Sequence, residues 1–192
     1  MVYQVMLQLD KLALRRAILK QRQSLSTEEW HTKSNLIGDR LKDLSVFKEA
    51  KTVLAYFSFK QEADLTPLFA FDKNWGFPRC VDKSLIWHLW QPGQNLNVGK
   101  YGIREPQENA PMIRPQSADL ILVPTVACDR QGYRLGYGGG FYDRLLSSIQ
   151  GSNMTTIGIV YDFAFLQQLP VDPWDQKLDS ICTESQYEQI VL

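Results

Sequence analysis

Cysteine is scarce in this chain: Cys80, Cys128 and Cys182 are the only three in 192 residues, far apart and free of any Cys-x-x-Cys spacing. An odd, scattered set of thiols gives neither a disulfide framework nor a zinc site, and it fits a reducing cytoplasm. Histidine is scarcer still, with His31 in a helical pattern and His88 in an aromatic strand. Net charge is missing too, since Lys plus Arg and Asp plus Glu both total 21. Duplex and membrane-surface binders carry a basic excess, so neither nucleic acid nor membrane is expected as a partner, and an anionic ligand must be held by a local cluster. No apolar run approaches the roughly 18–20 residues of a membrane span. Residues 1–10 alternate apolar and polar side chains ahead of Lys11, which is not the order of a signal peptide. A soluble, cytoplasmic protein is expected. What is present is 44% hydrophobic, 22% charged and 11% aromatic residues, enough for one well-buried domain over residues 1–192 and too little for two. The aromatic share excludes disorder and offers flat faces for a heteroaromatic ligand, although burial alone also accounts for it.

Helix formers fill residues 11–23, with Leu14, Ala17, Ile18, Gln21 and Leu25 on one stripe and Lys11, Arg15 and Arg22 on an adjacent cationic one. Ser26 followed by Glu29 is a capping box opening a second helix, in which Trp30, Ile37, Leu41 and Leu44 recur at helical spacing. Residues 52–59 have the β-branched and aromatic composition of a strand buried in a parallel sheet, and 64–71 predict the start of a crossover helix. Residues 75–81 and 85–90 predict two short strands, the second ended by the turn Gln91-Pro92-Gly93. Residues 94–117, with Pro106, Pro111 and Pro115, predict a long loop of the kind on which function concentrates. A strand over 118–126, a helix over 141–149 and a strand over 155–161 complete a second β-loop-α-β unit. The fold class that follows is α/β: a single three-layer domain with a mixed, mainly parallel sheet flanked by helices.

The segment with the most chemistry in it is Arg134-Leu135-Gly136-Tyr137-Gly138-Gly139-Gly140-Phe141-Tyr142-Asp143-Arg144, between a strand and a helix. Four glycines in five positions let consecutive amides approach phosphate oxygens, and the helix that follows adds its positive end. No Gly-Lys-Ser/Thr follows, as a P-loop requires, and Phe141 stands where a Gly-x-Gly-x-x-Gly would end. Glycines alone are equally compatible with a tight structural turn. The flanking Arg134, Arg144 and Asp143 favour a nucleotide site, which needs cations beside phosphate and a carboxylate for Mg²⁺.

Arg-Leu-Gly-x-Gly-x-Gly-aromatic-Tyr-Asp at 134–143, preceded by Leu120-Ile121-Leu122-Val123-Pro124 and Asp129-x-x-Gly132, resembles the 5-formyltetrahydrofolate cyclo-ligase family, also called 5,10-methenyltetrahydrofolate synthetase. Lys11-Leu12-Ala13-Leu14-Arg15 is similar to its N-terminal Lys-x-x-x-Arg element, and Phe57-Ser58 with Glu62 to its first substrate segment. Tyr101-Gly102-Ile103-Arg104-Glu105-Pro106 resembles its Gly-Ile-x-Glu-Pro stretch, and Lys177-Leu178-Asp179 with Thr183-Glu184 its C-terminal signature. The resemblance implies an ATP-dependent ring closure. The formyl oxygen on N5 of the folate attacks the γ-phosphate, N10 attacks the activated carbon and phosphate leaves, giving 5,10-methenyltetrahydrofolate, ADP and phosphate.

The same resemblance implies the site. ATP is assigned to Lys11, Arg15, Arg134, Leu135, Gly136, Tyr137, Gly138, Gly139, Gly140, Phe141 and Tyr142; the folate to Phe57, Glu62, Tyr101 and the loop residues Tyr137, Gly138, Gly139, Gly140 and Phe141; Mg²⁺ to Asp143 and Asp179. No side chain is assigned a catalytic role, because phosphoryl transfer asks mainly for positioning and charge neutralisation, here by Arg134, Gly136, Gly138, Gly139 and Gly140. Glu62 follows the first buried strand, at the end where open α/β sheets place their ligands, and a carboxylate accepts paired hydrogen bonds from an aminopyrimidine edge. The bland alternatives are a solvated helix face for Lys11 and Arg15, core packing for Phe57 and Tyr101, and a plain surface acid for Asp179. Tyr161 is a weaker candidate. The chain carries Tyr137 and Gly139 where some family members have basic residues, which puts individual loop contacts in doubt. Two other classes remain: a non-catalytic folate- or nucleotide-binding module on the same fold, and a sugar-phosphate or coenzyme A enzyme of similar architecture. A monomer is expected.

Overall fold

The computed structural model describes residues 11–190, so the alternating pattern of residues 1–10 lies outside it. Three helices come first: α1 (Lys11–Gln23), α2 (Thr27–Asp43) and α3 (Ser45–Glu49). The capping box forms as the sequence predicts, with the Glu29 amide donating to Ser26 Oγ and the Ser26 amide to Glu29 Oε2. Strands β1 (Thr52–Leu54), β2 (Asn74–Val81), β3 (Ser84–Leu89), β4 (Leu96–Val98), β5 (Arg104–Pro106), β6 (Leu120–Pro124), β7 (Ala127–Asp129) and β8 (Arg134–Leu135) follow. The chain then runs through α4 (Phe141–Ser148), β9 (Thr155–Ile159), β10 (Phe165–Leu166), β11 (Ser180–Cys182) and β12 (Tyr187–Gln189).

The main sheet has the order β12-β11-β9-β6-β1-β2-β3. Its inner five strands are parallel, and β3 and β12 are antiparallel edges. This is the mixed, mainly parallel sheet that the sequence predicts. Period-2 alternation in β6 divides the core: Ile121 and Val123 pack in one cluster with Leu14, Ile18, Leu145 and Leu146, while Leu120 and Leu122 pack in another with Ile37, Leu41 and Phe47. Helices α1 and α4 therefore cover one face, and α2 and α3 the other. From β1 the chain steps to β2 and β3 on one side, then returns to β6, β9 and β11 on the other. The connections diverge between β1 and β6, and such a switch point opens a crevice at the carboxyl ends of the strands.

Three local expectations change. The predicted strand over 52–59 pairs only as far as Leu54 within β1, with one further bond from the Ala55 amide to the Gly76 carbonyl, because the chain then peels away to wall the crevice. The predicted crossover helix over 64–71 is a single 3-10 turn, Thr66–Ala70. The crossover from β1 to the parallel β2 is spent largely on the wall of the crevice, and this short turn completes it before Asn74. The 94–117 loop contains the hairpin β4–β5. Buried Glu105 accepts from the Cys80 amide and so docks that hairpin on β2.

A small sheet, β10-β7-β8, aims the glycine segment. Its β7–β8 turn closes on Asp129, fully buried, whose carboxylate accepts from the amides of Gln131, Tyr133 and Leu169. Gly132 in that turn has φ +88° and lies so close to the Leu178 carbonyl that a Cβ would sit 2.8 Å from it. This accounts for the Asp129-x-x-Gly132 spacing.

Candidate active site

A cleft of about 1250 Å³ opens at the carboxyl ends of β1 and β6. Pockets for one drug-sized ligand run to roughly 300–1,000 Å³, so this space suits two substrates side by side. Its walls come from α1, the segment after β1, the glycine segment with α4, the β4–β5 hairpin and the stretch around Trp174.

The glycine segment leaves β8 and enters α4 through Gly140, which has φ +66° and forms the N-cap without a side-chain hydrogen bond. Amides at that end are left for a ligand, and the helix field favours an anion there. Gly138, at φ +99°, sits against the Arg15 guanidinium, where a Cβ would lie 3.7 Å from its central carbon. Arg15 Nε donates to the Gly136 carbonyl at 2.6 Å. Arg134 is buried, donates from Nη2 to Asp143 Oδ1 at 2.7 Å, lies over the Tyr142 ring, and keeps a buried Nε with no protein partner among the described residues. Arg144 also lines the cleft, but its guanidinium buttresses the loop by donating to the carbonyls of Lys83 and Gly139.

Lys11 bonds Asp172 at 2.6 Å and is paired with Asp175. Burial works against its charge, yet those two carboxylates win and hold the ammonium above the ordinary lysine range. Asp172, Trp174 and Asp175 all line the cleft, and Trp174 is 65% exposed.

The opposite wall has another character. Glu62 is only 5% exposed, and its Oε2 accepts from the Phe59 amide at 3.1 Å. Burial pushes its carboxyl up to about 7, against the Arg22 charge and the hydrogen bonds from Phe59 and Tyr137, which favour the carboxylate. A cluster of Phe57, Phe69, Phe77 and Trp90 stands behind it, with Phe57 stacked on Phe77 at 4.2 Å. Tyr101, half exposed on the hairpin side, meets Phe141 edge to face at 6.0 Å.

A cleft joining a glycine cradle, two helix cations and a buried carboxylate is the arrangement the sequence motifs imply. A sequence model of the 5-formyltetrahydrofolate cyclo-ligase family matches residues 8–184. The chain belongs to that family. Among its cyclo-ligase relatives, the 5-formyltetrahydrofolate cyclo-ligase of Haemophilus influenzae is 30% identical over 176 residues, 88% of this chain and 94% of that one. The protein of the same name from Escherichia coli strain K12 is 29% identical over 178 residues, covering 88% and 97%. The solved 5,10-methenyltetrahydrofolate synthetase of Aquifex aeolicus superposes with a TM-score of 0.84 at 36% identity, covering 94% of this chain and 92% of that one. The family is thus one of ligase-type enzymes, and the α/β architecture is shared with its solved members.

Set on the cyclo-ligase fold, the sequence-derived residues separate cleanly. Lys11, Arg15, Phe57, Glu62, Tyr101, Arg134, Leu135, Gly136, Tyr137, Gly138, Gly139, Gly140, Phe141, Tyr142 and Asp143 all line the one cleft. Asp179 does not. It precedes β11 at the amino end of the parallel strands, where its carboxylate accepts from the amide and hydroxyl of Thr156 at 2.8 Å each. It is a strand-joining residue, and the acids that reach the cleft from this part of the chain are Asp172 and Asp175. Thr183 and Glu184 are likewise structural: Glu184 pairs with Lys33 and accepts from the Asp162 amide. Tyr161 lies outside the main cleft and donates to the Gln61 carbonyl.

Arg22 also departs from expectation. Assigned to a cationic edge, it is 2% exposed and continues the buried stripe of Leu14 and Ile18 at four-residue spacing. That spacing was the signal for it. For Asp172, Asp175 and Trp174 no periodicity existed to find them.

Proposed function

We propose that this chain is an ATP-dependent 5-formyltetrahydrofolate cyclo-ligase, a cytoplasmic monomer whose single domain carries the whole site. The observation that carries the proposal is one two-substrate cleft at the switch point with an anion cradle at one end and a buried carboxylate at the other. ATP lies along the glycine segment, its phosphates met by loop amides, Arg134, Arg15 and Lys11. The folate lies toward Glu62 and Phe57, with Tyr101, Tyr137 and Phe141 between the two. The formyl oxygen attacks the γ-phosphorus and ADP departs. N10 then attacks the activated carbon, loses its proton, and the C–O bond breaks to release phosphate. Such chemistry is accelerated by alignment and by neutralising phosphate charge, which this wall is built to supply.

Magnesium fits through the donor set. Among the described residues no three metal-ligating side chains gather, but an ion carried by the triphosphate needs only one or two carboxylates. Asp143 and Asp175 would hold it, and it would neutralise charge on the phosphate oxygens. In the free cleft both acids are paired with cations, Arg134 and Lys11, which the nucleotide could take over. The test is product absorbance in the near ultraviolet with 5-formyltetrahydrofolate and Mg²⁺, with and without ATP. Methenyl formation that requires ATP and releases one ADP per product supports the proposal. Turnover without ATP overturns it, and tight folate binding with no ADP release would point to a binding module.

A further inference from the structure

Among the described residues, every side-chain hydrogen bond that Arg22 makes ends on a segment that shapes the cleft. Its Nε donates to the Lys60 carbonyl at 3.0 Å, its Nη1 to the Thr125 carbonyl at 3.2 Å at the end of β6, and its Nη2 to the Tyr137 hydroxyl in the glycine segment. Among the described residues it has no salt bridge, so a guanidinium is buried with neutral hydrogen-bond partners, and burying a charge without a paired ion is costly. The carboxylate that feels its charge is Glu62, and the Tyr137 hydroxyl that accepts from Arg22 donates to the Phe59 carbonyl at 3.5 Å, on the residue whose amide holds that carboxylate.

The backbone supplies a second, independent observation. Lys60 and Gln61, immediately before Glu62, both sit in the left-handed region, at φ +48° and +56°. Two successive non-glycine residues there store backbone strain and persist only when their surroundings over-determine them. The surroundings do so. Arg22 holds the Lys60 carbonyl, Tyr161 the Gln61 carbonyl, and the Gln61 side chain reaches the Leu25 carbonyl. The strained turn is what delivers Glu62 into the cleft.

We propose that Arg22 is a positioning residue for the cyclo-ligase reaction, clamping the turn that presents Glu62 and tying it through Tyr137 to the glycine segment, so that the folate anchor and the phosphate cradle are set as one unit. The inference rests on the cyclo-ligase reading above. The groups that act on Glu62 are Arg22 from α1, Tyr56 from its own segment, Tyr137 from the glycine segment, Tyr142 from α4 and Tyr161 from beyond β9. Burial holds all four phenols protonated, so Arg22 is the charged member of the set. Lys60, two positions before Glu62, turns its ammonium over the Phe59 ring.

The test is the pH profile of kcat/KM for 5-formyltetrahydrofolate at saturating ATP, whose acid limb reports ionisation in the enzyme free of folate. Removing the cation makes the carboxylate harder to form. Arg22→Leu is therefore expected to move that limb up by about one pH unit or more, with Tyr137→Phe moving it the same way by less and Arg22→Lys restoring part of the shift. Uniform loss at every pH, with the limb in place for all three variants, would mark Arg22 as a mere packing residue and overturn the proposal. Should Arg22→Leu fail to fold, Arg22→Lys and Tyr137→Phe decide by the same limb. Calorimetric Kd for the folate across the same pH range gives that limb without turnover. A chain that binds folate but forms no product thus fails the cyclo-ligase reading while still testing this one.

Discussion

At the glycine-segment end of the cleft, where we propose that the phosphates lie, the polypeptide offers backbone amides and cations already matched with acids, Arg134 with Asp143 and Lys11 with Asp172 and Asp175. At the other end, where we propose that the folate lies, it buries one carboxylate behind aromatic rings and holds it on a strained turn. The first wall works by leaving side chains out and screening its charges until a polyanion arrives. The second works by denying water to a charge that needs a specific donor. On the proposed assignment, ligand discrimination rests on different physics at the two ends: Coulomb attraction, weakened by salt, against desolvation, which is not.

The largest effect should come from breaking the phosphate wall alone. Arg134→Ala removes a buried cation beside the glycine segment and strands Asp143. A fall of roughly 10²–10³-fold in kcat/KM for ATP is expected, with binding of the folate to the enzyme alone nearly unchanged by calorimetry. Equal losses for both substrates would mean the walls are not separable.

Glu62→Gln breaks the other wall. It should raise KM for the folate by roughly 10–100-fold, the value of about 1.4–3 kcal/mol in a charge-assisted hydrogen bond, and leave KM for ATP alone. Its stability should change in the opposite sense. A carboxyl raised from 4.5 to about 7 on folding contributes stability below pH 4.5 that is lost as pH rises through about 7. The variant should thus match the parent at pH 4.5 and be more stable at pH 8, by up to about 3 kcal/mol, measured by urea unfolding. A flat difference across that range would show that Glu62 ionises normally.

Lys11→Ala should raise KM for ATP only several-fold, because a half-exposed ion pair contributes about 1 kcal/mol or less. The deficit should shrink as salt rises toward 0.5 M. Smallest of all, Trp174→Ala should alter kcat/KM by less than about threefold, while removing most of the fluorescence change on ATP binding. The other four tryptophans are buried or half-buried, so Trp174 is the natural reporter of the phosphate end.

The two walls were also unequally legible. Gly138 and Gly140 announce themselves because only glycine tolerates their φ values at no steric cost, so a backbone requirement is written directly in residue type. Glu62 comes from the resemblance to the family's first substrate segment, and its place after the first strand agrees with a topological rule. The fold follows from the near-continuous apolar runs of the buried strands and from period 3.6 in α1 and α2. Three things escaped. Nothing in the composition of residues 55–59 separates an extended wall from a paired strand, since ladder pairing depends on what β2 and β6 do. Asp175 and Asp179 lie four positions apart in a stretch without periodicity, so the sequence could not tell which acid faces the cleft and which fastens Thr156. Arg22 was read by charge rather than by its four-residue spacing from Ile18, and a buried guanidinium runs against every prior on where arginine sits.

Helix α1 carries Lys11 and Arg15 at one end and Arg22 at the other, and Lys11 and Arg22 are eleven positions apart. That is about three turns and about 16 Å along the axis, so both side chains leave the same side of a rigid rod. On the proposed roles the helix is a gauge block, fixing the spacing between the grip on one substrate and the support for the grip on the other. Adding a single residue near Leu19 would rotate one end by about 100° against the other and unhook it, whereas adding four would nearly restore the phase but lengthen the rod by about 6 Å.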